Sequence, residues 1–115
     1  MTHRSTRERH PITALFALLG GRWALRVLWE LRNGPMRFRP LLAACGNAPS
    51  GTVNTRLAEL RRAGIVNLGE DGYTLTGTGE ALGRQLLDLN DWSKSWKEAW
   101  SWQADPRGAA RRKAQ

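Results

Sequence analysis

Gly20-Gly21, Asn33-Gly34-Pro35, Gly46, Gly64 and Asp71-Gly72 punctuate the first two thirds of the chain, and this spacing constrains its fold more than any other feature. Glycine and proline end helices and strands at such points, so every element before Thr76 must be short. After Thr76, which can cap a helix through its hydroxyl, the pattern predicts one long helix to about Trp102, roughly 26 residues and about 39 Å. The short elements can be read between the breaks. Ile12, Leu15, Phe16, Leu18 and Leu19 predict a helix entered at Pro11, and Trp23, Ala24, Val27, Leu28 and Leu31 predict a second. Met36-Arg37-Phe38 suits a very short strand. Pro40 suits the first position of a third helix over Leu41 to Ala44. Ser50 is a good N-cap for a fourth, in which Val53, Leu57 and Leu60 form one buried stripe. Ile65 to Leu68 and Tyr73 to Leu75 flank Asp71-Gly72, a two-residue hairpin signal that calls for positive φ at both turn positions.

The order is two helices, a short strand, two helices, a hairpin and a long helix. It predicts a mainly α fold with a small β-hairpin wing (α+β): a winged helix-turn-helix with a long C-terminal dimerisation helix. With 115 residues, one core is expected. Residues 11–76 would form the DNA-binding domain and 77–103 the dimerisation helix, with basic, flexible tails at 1–10 and 104–115.

Charge points the same way. The chain carries a formal +8, and residues 22 to 63 hold eight arginines against Glu30 and Glu59. A concentrated positive field favours a polyanion. No stretch nears the roughly 18 apolar residues of a membrane span, and the N-terminus lacks a signal-peptide core, so a cytoplasmic protein with no membrane partner is expected. The single Cys45 and the two histidines, His3 and His10, offer neither a metal-ligand spacing nor a catalytic grouping. The expectation is a binding protein, with no enzyme activity, metal or cofactor.

A recognition helix buries one stripe and sends its opposite face and N-terminal end into the major groove. With Val53, Leu57 and Leu60 inward, Ser50, Thr52, Asn54 and Thr55 are left for base edges or phosphates, and Asn54 can pair with adenine. Arg37, Arg39, Arg56 and Arg61 are the expected phosphate contacts. The wing tip carries Glu70 and Asp71, which phosphates repel, so the wing should add little affinity.

Six strings carry a resemblance to a known family: Gly20-Gly21-Arg22-Trp23, Leu28-Trp29-Glu30-Leu31, Gly34-Pro35-Met36-Arg37-Phe38, Thr55-Arg56-Leu57-Ala58-Glu59-Leu60, Gly64-Ile65-Val66 and Tyr73-Thr74-Leu75-Thr76. In order and spacing they resemble the HxlR family of bacterial regulators over about residues 10 to 96. The resemblance implies a winged-helix homodimer held by its N- and C-terminal helices, binding inverted-repeat operators and often answering electrophiles or other small molecules. The family commonly has a cysteine before the proline that opens the first helix. Here His10 stands there, so thiol sensing by that route does not carry over. The family's wing is usually longer and less acidic, and a polar residue is more usual at Trp29.

Leu82, Leu86, Leu89, Ser93, Trp96 and Trp100 are spaced as a heptad seam, which suits a helix packed along another helix. Only Ser93 breaks the seam, and Leu82, Leu86, Leu89, Trp96 and Trp100 together with Leu15 and Leu19 are the expected dimer interface. Trp29, Trp92, Trp96 and Trp100 leave two readings open: part of that dimer core, or the walls of a pocket for an aromatic or cationic effector. Cys45 is expected to be packed rather than reactive. Double-stranded DNA, a second copy of the chain and a small-molecule effector are the expected partners, with repression the expected outcome. A protein-interaction or ligand-sequestering module without DNA binding is the rival reading.

Overall fold

The structure, a computed structural model, describes residues 10–100 of the chain. The expected tails and the end of the long helix at Trp102 lie outside the described residues, apart from His10. In chain order the elements are α1 (Pro11–Leu19), α2 (Ala24–Leu31), α3 (Phe38–Ala44), α4 (Ser50–Arg62), β1 (Val66–Gly69), β2 (Gly72–Leu75) and α5 (Gly77–Ala99). They divide into two compact units between Gly83 and Arg84. In the first, α2 to β2 enclose one core: Val27, Leu28 and Leu31 of α2, Leu41 of α3, Val53, Leu57 and Leu60 of α4, and Val66 and Leu75 of the hairpin are all buried. The stripe predicted for α4 is therefore the helix's inward face.

Gly46 makes the turn between α3 and α4. Its φ of 77° lets its N–H reach the Ala43 carbonyl at 2.9 Å and the Asn47 N–H reach Leu42 at 2.8 Å. These two bonds close the helix end in a left-handed cap that a side chain would strain. Ser50 is the first residue of α4 and Pro49 is its cap, with no side-chain capping bond, so the predicted serine cap is replaced by a proline whose fixed φ starts the turn. Pro40 likewise falls inside the first turn of α3, which begins at Phe38. That turn has no intrahelical use for its N–H groups, and proline is tolerated there.

The hairpin differs from its prediction by one residue. Gly69 pairs with Gly72, so the turn is Glu70-Asp71, and among the turn residues only Gly72, with φ 112°, is positive. Gly72 is needed for a second reason: a Cβ there would come within 2.5 Å of the Met36 carbonyl oxygen. Met36 and Tyr73 exchange backbone hydrogen bonds of 2.9 and 2.8 Å, which reduces the short strand predicted over 36 to 38 to a single bridge. Thr76 caps α5 as expected. Its Oγ1 accepts from the Gly79 N–H at 3.0 Å and donates to the Gly64 carbonyl at 2.6 Å, fastening the helix start to the hairpin base. The described part of α5 runs 23 residues, about 35 Å. Among the described residues no single helix is long and apolar enough to cross a membrane.

Candidate nucleic-acid interface

The outward face of α4 begins at its N-terminus, beside the Gly46 turn. Ser50, Asn54 and Thr55 are exposed there and Thr52 is half-buried, opposite the buried Val53, Leu57 and Leu60. Thr55 Oγ1 donates to the Gly51 carbonyl at 3.0 Å, which satisfies its proton within the helix and leaves its lone pairs outward. Among the described residues the Asn54 amide makes no hydrogen bond to the protein, and it stands on an exposed helix face. Such a face, with short polar side chains near the helix start, is what a major groove admits.

The four arginines expected at phosphates divide into two pairs. Arg39 and Arg61 are exposed. Arg61 and Arg62 close the last turn of α4, where they favour the helix C-terminus and, with Ala58, Val66 and Asn67, line a shallow depression. The other two have partners within the protein. Arg37 Nη2 donates to the Glu70 carbonyl at 2.9 Å, bringing a positive charge to the wing turn. Arg56 pairs with Glu59 on its own helix, Nε to Oε1 at 3.1 Å, and its side chain is only 19% exposed. The i,i+3 spacing of Arg56 and Glu59 is legible in the sequence. The 33-residue reach of Arg37 to the wing is not.

The residues expected at a dimer interface are uncovered to different degrees. Leu15, Leu19, Leu82, Leu86 and Trp100 are half-buried, while Leu89 and Trp96 are exposed. The expectation named neither Ile12 nor Phe16, the two exposed large apolar residues of α1. Helix α1 has no buried residue at all, and Phe16 is 66% exposed. Its composition, apolar except for Thr13, was the available signal.

Trp92 and Trp96 on α5 and Trp100, the residue after its end, are spaced i, i+4 and i+8 and form a ladder. Their ring centroids are 6.0 and 5.0 Å apart and the planes lie within 9° and 16° of parallel. Trp29 belongs to the first unit, where the Arg32 guanidinium covers its ring at 3.7 Å. Burial raises the Cys45 thiol pKa, with nearby Arg26 opposing the shift and Glu30 adding to it. The thiol therefore stays protonated at neutral pH, and a protonated thiol is a poor nucleophile. Among the described residues no group of acidic, histidine or cysteine side chains could hold a metal ion.

A family model described as HxlR-like helix-turn-helix matches residues 18–101. An uncharacterised HTH-type transcriptional regulator of Bacillus subtilis (strain 168), YvaP, is 30% identical over 86 residues, spanning 69% of this chain and 80% of that protein. The crystal structure of quinone-bound YodB from B. subtilis is similar with a TM-score of 0.68 and 29% identity, over 74% of this chain and 97% of that one. A transcriptional regulator of the MarR family from Enterococcus faecalis V583 superposes with a TM-score of 0.67 and 26% identity, over 79% and 89% of the two chains.

Proposed function

The chain belongs to the HxlR-like helix-turn-helix family of transcriptional regulators, and on that premise we propose that it represses transcription by binding an inverted-repeat operator as a homodimer. The family consists of regulators, not enzymes. The observation that carries the reading is α4: an apolar stripe holds it to the core while Ser50, Asn54 and Thr55 stand clear of the protein at its N-terminal end. Thr52 joins them at the helix start, and Arg39 and Arg61 take phosphates on either side. Arg37 serves the interface by holding the wing, because its bond to Glu70 offsets the acidic tip. Two recognition helices related by a two-fold would read half-sites about one helical turn apart, roughly 10 base pairs. The protein would act in the cytoplasm, where occupying a promoter excludes polymerase.

Asn54→Ala tests the reading. Losing a bidentate amide at adenine costs about 1–3 kcal/mol per half-site, roughly 5- to 150-fold in affinity, and erases base preference at one position. Fluorescence anisotropy against duplexes varied at each position measures both. Unchanged affinity and unchanged preference would remove Asn54 from the interface, and indifference of the wild type to sequence would favour the module without DNA function.

The quinone bound to YodB supports a second element of the proposal, control by a small planar effector. Here the receptor would be the Trp92 end of the indole ladder, a residue that is 60% exposed, since aromatic faces accept planar ligands. Titrating a quinone into the protein should quench tryptophan fluorescence, and Trp92→Ala should abolish the saturable part. A response that is linear in quinone for both proteins would mean the ladder only packs.

A further inference from the structure

Arg56 sits on the helix proposed to enter the groove, yet its side chain runs back into the protein. Nε lies 3.1 Å from Glu59 Oε1 and Nη2 donates to Oε2 at 3.3 Å. The contact is a two-pronged ion pair in which only Nη2 is aligned as a hydrogen bond, because the buried Nε has no hydrogen-bond partner among the described residues; a planar guanidinium makes this fork and an ammonium does not. The same group fills the space over Gly21. Its Cδ and Cζ stand 3.1 Å from where a Cβ on Gly21 would be, and Nη1 is nearer still. Gly21 lies in the corner between α1 and α2. Two residues on, Trp23 caps α2 with a φ of 75°, and its buried Nε1 has no hydrogen-bond partner among the described residues. A bulky residue keeps a left-handed backbone only where its surroundings hold it. The Gly20-Gly21-Arg22-Trp23 string is thus a fixed corner, and Arg56 is seated against it.

We propose that Arg56 is a positioning residue that braces the recognition helix against the α1–α2 corner and touches no phosphate. This rests on the DNA-binding reading above. Since α1 is also the helix proposed to join the two protomers, the same brace would fix the separation of the two recognition helices. The competing assignment is the ordinary one for an arginine on such a helix, a clamp on the DNA backbone. The two differ in sign at Glu59. If Arg56 contacts phosphate, removing the carboxylate frees a cation and tightens binding; if Arg56 is a brace, it loosens the fork and weakens binding.

The test measures affinity of the full chain for a selected duplex across a salt series, for wild type, R56A, R56K, G21A and E59Q, each checked for folding by circular dichroism. Arg56→Ala, Arg56→Lys and Gly21→Ala should each weaken binding about tenfold by misplacing the helix, and Glu59→Gln should weaken it as well. The slope of log affinity against log salt should equal that of wild type in every variant, because no phosphate contact is lost. A slope reduced by about 0.9 per protomer in Arg56→Ala, wild-type affinity in Arg56→Lys or Gly21→Ala, or tighter binding by Glu59→Gln overturns the brace. Gly21→Ala keeps the arginine charge and decides the matter should Arg56→Ala fail to fold. A wild type with no preference among duplexes overturns the DNA-binding reading, and this role with it.

Discussion

Phe16→Asp combined with Leu89→Asp makes the chain monomeric and weakens operator binding on the order of 10²- to 10⁴-fold. The reason lies in surface that a lone protomer leaves wet. Ile12 and Phe16 on α1 are 55% and 66% exposed, and Leu89 on α5 is 55% exposed. Isolated exposed apolar residues are ordinary, but a nine-residue helix that is apolar except for Thr13 and has none of its side chains buried is not. Covering each large side chain with a partner copy contributes about 1.5–3 kcal/mol. A carboxylate in such a contact reverses that gain and adds the cost of desolvating a charge. Neither residue belongs to the protomer core, so the helices and hairpin should survive. DNA binding suffers because the second half-site is then no longer held at high effective concentration by the first. Analytical ultracentrifugation and anisotropy on the same samples check both effects. A double variant that stays dimeric, or a monomer that keeps full operator affinity, would be incompatible with the proposed dimer.

Gly79→Ala should destabilise the first unit by about 3 kcal/mol, at the upper end for overpacking, because the obstruction is backbone. A Cβ at Gly79 would collide with the Ile65 carbonyl oxygen, with Ile65 Cγ2 3.2 Å away. That carbonyl also accepts from the Thr76 N–H at 3.0 Å, so it cannot retreat without breaking the joint between hairpin and helix. Gly77 is the internal control. Nothing lies within 4 Å of a Cβ there, and Gly77→Ala should stabilise by about 0.4–1 kcal/mol by restricting the unfolded chain. For a domain whose net stability is about 5–15 kcal/mol, a difference of this size between two positions on one helical turn is readily measured by urea denaturation. Equal midpoints for the two variants would mean that the close approach of α5 to Ile65 is not real.

The order of elements was legible because glycine and proline mark the ends, and the α4 stripe because Val53, Leu57 and Leu60 repeat at helical spacing. The failures were local. Asp71-Gly72 reads as a two-residue turn, but pairing of Gly69 with Gly72 shifts the turn back to Glu70-Asp71. The bridge from Met36 to Tyr73 explains why Gly72 sits where it does, and no local pattern encodes a contact 37 residues apart. At the candidate interface, exposure of Ser50, Asn54 and Thr55 followed directly from periodicity. The inward turn of Arg56 did not, since the space it occupies is created by Gly21, 35 positions earlier. Phe16 was counted toward an ordinary apolar helix, although a helix in which only Thr13 is polar has more apolar surface than one stripe can bury.

Selection of binding sequences from a pool of random duplexes by the full-length protein, followed by affinity measurement of the winners, tests α4 as a recognition helix most directly. The expected result is an inverted repeat with half-sites about 10 base pairs apart, bound at least on the order of 10³-fold more tightly than random duplex at moderate salt, with the preference at one adenine position lost in Asn54→Ala. No enriched sequence, or an enriched sequence that Asn54→Ala binds with unaltered preference, would contradict it.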